Sequence, residues 1–362
     1  MKVLLPQAQS LKNDGPDSPG GAELGGLTLD NKHGFLNISI TPVECSIVCH
    51  SAWAKNVFEP VIKTLPRDAA KAVSISRDAY VALSVISAGM DAGSRVVDLT
   101  SPLALAGVPI FFITTYFSDF ILVPNKDRKS VTQALFAKGF EFSETESSFV
   151  SPAATSHARG ASQTSAPPST PPPSTVAELQ VRTFELLKKR SVSPYIDPCL
   201  HLIQCSGHET PTFGGEYSHR PSQSRTHTGN GHGKSWIDSV DTKLYTSLVA
   251  ALVSQPRFLS ITLAQDDPPS LLIDKSLFGM FGDSLIGDTE GDLVPILLDL
   301  ENLPFEATGI VSGVAGKLVE QMGMVDSVEL SYLSTARAGA VILSLDKSKK
   351  AMEILIPLLT EE

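Results

Sequence analysis

Four side chains near the middle of the chain carry groups that zinc prefers: Cys199, His201, Cys205 and His208. A structural zinc site usually draws its ligands from turns, in pairs about two to four residues apart. Here the alternating pattern of Cys199–Cys205 predicts a strand, and the first three candidates would share one face of it. Small buried cysteines on a strand explain this pattern more simply. We therefore predict no metal and no cofactor.

Candidate catalytic groups are equally sparse. The carboxylate pairs Asp266 with Asp267 and Asp299 with Glu301 lie near predicted turns, where such residues are common without any catalytic role. The sequence contains no nucleophile elbow, phosphate-binding loop or dinucleotide fingerprint. Without a histidine or lysine that converges on the carboxylates, no acid–base scheme can be argued. We therefore predict a protein that is not an enzyme.

The composition argues against several classes of partner. The chain has 362 residues, a net charge of −10 and 42% hydrophobic residues, so it can form real cores but offers no excess of basic charge for nucleic acid or an anionic membrane. No apolar run reaches the roughly 18 residues that predict a membrane-spanning helix. The four cysteines do not form a disulfide framework in a chain this long, and Pro6 ends the short apolar start. We expect a cytoplasmic protein.

The clearest structural pattern lies in residues 78–143. Apolar, β-branched and aromatic residues predict strands, and spaced apolar residues predict helices between them. The predicted elements are, in order, the strand Tyr80–Ser87, the helix Ser94–Ala106, the strands Val108–Thr115 and Asp119–Val123, the helix Lys126–Lys138 and the strand Phe140–Phe142. This succession, βαββαβ, is that of one ferredoxin-like unit.

The second half of the chain repeats the first at an offset of about 220 residues. Phe258–Leu263 matches Phe35–Ile40, and Leu333–Thr335 matches Ile113–Thr115. The sequence therefore predicts an α+β fold of four tandem ferredoxin-like βαββαβ units in two duplicated pairs. In the last unit, Gly309, Gly313 and Gly316 fall on a predicted helix, where small residues would allow close packing against another unit.

The predicted boundaries follow from the repeat and from two polar tracts. They are 1–77 for unit 1, which is incomplete at its N-terminus, 78–143 for unit 2, 144–178 for a disordered Ser/Thr/Pro-rich linker, 179–285 for unit 3 with a disordered insertion at 206–235, and 286–362 for unit 4.

Paired βαββαβ units resemble ACT domains, such as the regulatory domains of aspartate kinases, which bind amino acids at interfaces between units. The segment Thr114–Val123 reads Thr-Thr-Tyr-Phe-Ser-Asp-Phe-Ile-Leu-Val and resembles a motif of the CASTOR family of cytosolic arginine sensors. Residues 305–311 and 315–318 resemble the glycine-containing loop and helix of that family's last unit. The resemblance covers most of 35–143 and 240–360.

The resemblance implies an amino-acid site between the second and fourth units. A helix N-terminus there suits a carboxylate, and Gly309 would let the backbone approach the ligand closely. Where the family has an aspartate and aromatic residues around arginine, this chain has Gly339, Ala336 and Ala338, so arginine fits poorly and a smaller or less basic amino acid fits better. The implied ligand-binding residues are Pro109, Ile110, Thr308, Gly309, Ile310, Val311, Thr335 and Gly339.

The resemblance also implies a surface for a regulatory protein complex upstream of target-of-rapamycin signalling, made by Tyr116, Phe117, Ser118 and Asp119. The simpler alternative is that the two aromatic side chains cover the edge of the sheet.

The resulting prediction is an amino-acid-binding regulatory protein, a nutrient sensor that acts by protein contact. Two alternatives stay open: a regulator acting in trans on an amino-acid biosynthetic enzyme, and an adaptor that has lost ligand binding. A homodimer through sheet edges is compatible with all three.

Overall fold

The computed structural model describes residues 3–7, 35–85, 94–140, 173–208, 241–264, 267–323 and 330–360. Within them the strands are β1 (Val3–Gln7), β2 (Phe35–Ile40), β3 (Cys45–His50), β4 (Ser74–Ile75), β5 (Tyr80–Val85), β6 (Phe111–Thr114), β7 (Asp119–Pro124), β8 (Pro194–Tyr195), β9 (Leu202–Gly207), β10 (Leu259–Ala264), β11 (Ser270–Asp274), β12 (Leu285–Gly287), β13 (Leu293–Asp299), β14 (Ser331–Ser334) and β15 (Ala338–Ser344).

The same residues form the α-helices α1 (Ser51–Trp53), α2 (Glu59–Thr64), α3 (Arg67–Lys71), α4 (Arg95–Leu105), α5 (Arg128–Phe136), α6 (Val176–Lys189), α7 (Thr242–Val253), α8 (Ile310–Met322) and α9 (Leu345–Leu359). A π-helical turn, Ala54–Phe58, joins α1 to α2, and 3₁₀ turns cover Asn125–Asp127 and Lys275–Met280. None of the described helices is long and apolar enough to cross a membrane.

The described strands join in one curled sheet that is mainly antiparallel. Its order is β12-β9-β11-β10-β2-β3-β1-β5-β7-β6-β14-β15-β13-β8, and β4 lies beside β1. The sheet curls back on itself because β13 also pairs with β9, through Leu293 and Leu202. The pairings of β1 with β3, β4 and β5 are parallel. The structure is therefore a mixed α/β fold built on a curled antiparallel sheet.

The two halves of the chain meet through strands that the repeat relates to each other. β2 pairs with β10 in antiparallel register, with Ile38 opposite Ile261. β6 meets β14 in the same sense, and Ile113 lies opposite Leu333, the residue that the repeat matches to it. Antiparallel pairing of equivalent strands is what an approximate two-fold relation between the halves produces.

The segment that contains α6 and β8 packs on the last part of the chain. β8 pairs with β13, placing Tyr195 opposite Leu297, and Phe184 and Leu187 of α6 enter the core that contains α8 and α9. The sequence assigned residues 179–195 to unit 3, but their apolar face is buried against residues 293–359 instead.

Two boundaries of the predicted disordered tracts also differ from the structure. Helix α6 begins at Val176, inside the tract 144–178, because Thr175 Oγ1 accepts from Glu178 N and Glu178 Oε2 accepts from Ser174 N. The insertion 206–235 overlaps the end of β9 by Ser206 and Gly207. The rest of both tracts, apart from residues 173–175 and His208, lies outside the described residues.

Strands β6 and β7 are buried on both faces, which explains their continuous apolar sequence. On one face Phe112 and Ile121 pack under the helices, in the core that includes α4 and α8. On the other face Phe111, Ile113 and Phe120 pack against residues of the second half. The predicted strand Val108–Thr115 is therefore real but shorter, and Pro109 and Ile110, which precede β6, line a cavity.

Candidate functional site

A cavity of about 60 Å³ lies where the loop before β6 faces the start of α8. One buried water needs roughly 10–15 Å³ on this measure, so the space holds about four to six water-sized groups. All the side chains that line it are uncharged. Six of the eight predicted ligand-binding residues line it: Pro109, Ile110, Gly309, Ile310, Val311 and Thr335.

The other two predicted residues, Thr308 and Gly339, do not line the cavity. Thr308 precedes Gly309 in the chain and is not part of the lining. Gly339 lies on β15, where an added Cβ would stand 2.8 Å from the Tyr332 hydroxyl oxygen and 3.5 Å from Leu300 Cδ1. Gly339 therefore leaves the space that the Tyr332 hydroxyl occupies. Tyr332 lines the cavity and was not predicted, because a tyrosine in a buried strand carries no local signal of a site.

The N-terminus of α8 forms one wall. Its cap residue, Gly309, has φ +82° and provides no capping side chain, so a residue with a Cβ would be strained there. The first helical hydrogen bond joins Gly313 N to Gly309 O at 2.7 Å. The N–H groups before it have no partner within the helix and carry the positive end of its dipole. This wall therefore favours an anionic group such as a carboxylate.

Helix α6 holds that N-terminus in place. Thr183 Oγ1 donates a hydrogen bond to Gly309 O at 3.2 Å. An added Cβ on Gly313 would lie 2.7 Å from three atoms of Thr183, and one on Gly316 would lie 2.9 Å from Gln180 Nε2. The spaced glycines therefore serve close packing, as predicted, and their neighbour is α6.

A buried carboxylate from the first part of the chain supports the opposite wall. Glu44 Oε1 accepts hydrogen bonds from Thr335 Oγ1 at 2.5 Å and from Arg337 N at 2.6 Å. Both donors belong to the β14–β15 turn, and Thr335 lines the cavity. Arg337 also pairs with the half-exposed carboxylate of Glu301 at 2.8 Å. Glu44 thus fixes the turn that carries one of the predicted ligand-binding residues.

Replacing Glu44 with alanine is expected to lower the free energy of unfolding by about 2 kcal/mol, because two donors in a buried turn lose a charged acceptor. Urea denaturation measures the change. The matched control is Glu301→Ala, which removes a more exposed partner of the same turn and should cost less than about 1 kcal/mol. Equal effects of the two substitutions would contradict the role given to Glu44.

The predicted partner surface divides into an exposed and a buried part. Tyr116 and Phe117 are 37% and 42% exposed, and their rings stack edge to face with centroids 4.8 Å apart. Tyr116 N donates to Ser270 Oγ at 2.8 Å, so the turn rests on the second half of the chain. Ser118 is half-buried, and its carbonyl accepts from Thr115 N at 2.9 Å.

Asp119 does not fit the prediction that it contacts a partner. Its side chain is fully buried and forms an ion pair with Arg95 at the start of α4. The carboxylate therefore anchors α4 to β7, and its side chain cannot reach another protein in this structure. No local pattern indicated this pair, because its two members belong to different elements.

The candidate zinc ligands are dispersed. β9 begins at Leu202, so Cys199 precedes the strand and is exposed, whereas Cys205 is buried, and burial raises the pKa of its thiol to about 12. His201 Nδ1 lies 2.7 Å from Asp292, and His208 Nε2 lies 3.0 Å from Asp283 O. Among the residues with described positions, no three histidine, cysteine, aspartate or glutamate side chains group as a metal site would require.

The carboxylate pairs show ordinary turn chemistry where they are described. Asp299 Oδ1 accepts a hydrogen bond from Glu301 N at 2.9 Å, and Glu301 in turn pairs with Arg337. Asp266 lies outside the described residues.

Fold and cavity together define the class: a mixed α/β protein in which a curled antiparallel sheet, with helices packed on it, borders a small uncharged cavity. Residues 75–136 match the family model described as ACT domain. ACT domains in general are small-ligand-binding regulatory domains, so the match supports the predicted ACT resemblance over residues 75–136 and is consistent with a regulatory role. No curated protein matches the chain.

Two solved structures give weak matches. A Vibrio cholerae protein of unknown function, described as a possible transport protein, is 13% identical, with 50% of this chain and 99% of that chain covered and a TM-score of 0.29. Aspartate kinase from Synechocystis is 13% identical, with 96% of this chain and 54% of that chain covered and a TM-score of 0.30. The chain thus spans about half the length of that kinase, and neither score is high enough to support an argument on fold or function.

Proposed function

We propose that the protein is a non-catalytic regulatory protein that binds a small amino acid with an uncharged side chain in the cavity at the start of α8. The observation that carries the proposal is the cavity itself, which combines uncharged side chains with a helix N-terminus that no side chain caps. The ligand carboxylate would meet the N–H groups of Ile310 and Val311, and Thr308 would help to shape that loop.

The uncharged lining decides against arginine. A guanidinium in the cavity would find no carboxylate among the lining side chains, and an unpaired buried charge costs several kcal/mol. The position at which the resembled family has an aspartate corresponds here to Gly339, whose space the Tyr332 hydroxyl fills. A small uncharged side chain avoids the cost of burying charge and suits the volume of the cavity.

The proposed output is a protein contact made by Tyr116 and Phe117. Pro109 and Ile110 line the cavity, and β6 leads from them to the turn within a few residues. A ligand that favours one position of β6 would thereby shift the population of turn conformations. Asp119 anchors this turn from inside and does not touch the partner.

The remaining parts of the proposal rest on the sequence resemblance. The chain would consist of four ACT-like units in two pairs with the boundaries given above, except that residues 179–195 pack with the fourth. It would act in the cytoplasm as a CASTOR-like nutrient sensor, through a regulatory complex of target-of-rapamycin signalling, alone or as a homodimer. Co-purification with an amino-acid biosynthetic enzyme would favour regulation in trans instead.

A thermal-shift screen of the purified protein against the twenty amino acids tests the ligand. We expect stabilisation by small uncharged amino acids, because a ligand at about 100 times its Kd adds roughly 2.7 kcal/mol to the stability of the folded state. The variant Ala336→Leu, which fills the cavity wall, should lose the shift, whereas Ala137→Leu on the exposed end of α5 should keep it.

A flat screen with a folded protein would overturn ligand binding and favour the adaptor. A response to arginine alone would show that the argument from the uncharged lining is wrong.

A further inference from the structure

One polar atom in the cavity wall has no partner. The Tyr332 side chain is fully buried, and its hydroxyl finds no hydrogen-bond partner among the described residues. The backbone of Tyr332 is satisfied, because its N–H donates to Thr114 Oγ1 at 3.0 Å. Burial raises the pKa of the phenol, so the hydroxyl stays protonated and can both donate and accept.

Ser334 is only partly buried, and the other lining hydroxyls, which are buried, differ from Tyr332 in this respect. Thr100 donates to Val96 O, Ser312 bonds with Ser101, and Thr335 donates to Glu44. The hydroxyl of Tyr80 bonds with Ser76. Buried polar atoms in native proteins nearly always have partners, so a solitary unsatisfied hydroxyl at a cavity requires an explanation.

The residues around this hydroxyl hold it in one position. The ring packs among apolar residues of the core around α8, and the oxygen lies over Gly339, where any side chain would displace it. The same cavity contains the free N–H groups of the α8 N-terminus. The cavity therefore presents one wall for an anion and one neutral group that can donate and accept a hydrogen bond.

We infer that the Tyr332 hydroxyl selects the ligand of this cavity, favouring small amino acids whose side chain carries an uncharged hydrogen-bonding group, foremost a hydroxyl, over apolar amino acids of the same shape. The inference rests on the proposed function and deepens it. A hydroxyl-bearing ligand satisfies the buried phenol, whereas an apolar isostere leaves it unpaired, and sites built to bond a substrate hydroxyl reject analogues that lack it.

The test compares isosteric ligands by titration calorimetry, L-threonine with L-valine and L-serine with L-alanine. We expect the wild-type protein to bind the hydroxyl member of each pair about tenfold more tightly or better. Tyr332→Phe removes only an oxygen without a partner, so the variant should fold, and its preference should fall to about onefold. Tyr245→Phe on α7 controls for loss of a phenol elsewhere.

Each other outcome is decisive. Equal binding of both pair members to the wild-type protein, or a preference that survives in Tyr332→Phe, would overturn the role of Tyr332 while leaving the proposed function intact. If none of the four amino acids binds to the folded wild-type protein, the choice of ligand class fails. The screen of twenty amino acids then decides whether the proposed function fails as well.

Discussion

Replacing Asp119 with alanine is expected to lower the free energy of unfolding by about 3–5 kcal/mol. The carboxylate is fully buried, and its partner Arg95 is 13% exposed. Removing the carboxylate leaves a largely buried guanidinium without its counter-ion. The cost of that unpaired charge is larger than the net stabilisation that the intact ion pair provides. The anchoring of α4 on β7 is lost with it.

Urea denaturation of Asp119→Ala measures this change, and Asp78→Ala is its control. Asp78 pairs with Lys126 at 3.5 Å on the surface, so its loss should cost less than about 1 kcal/mol. A small effect at Asp119 would mean that its carboxylate is solvated and free for a partner, as the sequence suggested. The distinction matters for binding assays, because an Asp119 variant that loses a partner could do so by unfolding, whereas Tyr116 and Phe117 are exposed enough to replace separately.

Several strands and helices could be predicted from the sequence alone, for a physical reason. β6 and β7 are covered on both faces, so nearly every residue is apolar, and the run Phe-Phe-Ile-Thr predicts a buried strand without any tertiary information. The repeat matched Ile113 to Leu333 as equivalent residues, but only the structure shows that the two strands pair there. The helix start near Gly309 was implied by the family resemblance, whereas the local pattern placed Gly309 within the helix that it caps.

The roles of Glu44, Tyr332 and α6 could not be predicted from the sequence, because they depend on partners that lie far away in the chain. Glu44 and Thr335 bond across 291 residues, and neither lies in a local pattern that indicates the other. Tyr332 differs from any other strand tyrosine only by the absence of a partner, which no periodicity reveals. α6 reads as an ordinary amphipathic helix, and only packing decides that it covers the glycines of α8.

These distant partners hold elements that line the cavity or lie next to its lining, and each anchor belongs to a separate part of the chain. α6 holds the start of α8, Glu44 holds the turn at Thr335, and the ion pair of Asp119 with Arg95 holds β7 to α4 beside β6. Because these anchors are separate, each can be removed by its own substitution. The anchor at α8 has the tightest packing.

Replacing Gly313 with valine is expected to destabilise the protein by about 2–3 kcal/mol. A Cβ at this position would stand 2.7 Å from Cβ, Cγ2 and Oγ1 of Thr183, and the first of these cannot move without displacing the backbone of α6. Alanine carries the same Cβ and meets the same contact, but it regains about 1 kcal/mol from helix propensity because glycine is a poor helix former. Valine adds two methyl groups to the clash and regains less.

Thermal and urea denaturation of Gly313→Val measure the cost, with Gly279→Val as the control. Gly279 lies in a 3₁₀ turn, and an added Cβ there meets nothing within 4 Å, so its replacement should change stability by less than about 1 kcal/mol. A displaced α6 also releases Gly309, so the ligand-induced thermal shift should fall in Gly313→Val and persist in the control. If Gly313→Val were as stable as the wild type, α6 would not be packed on this face, and the α8 wall of the cavity would have to be held by another segment.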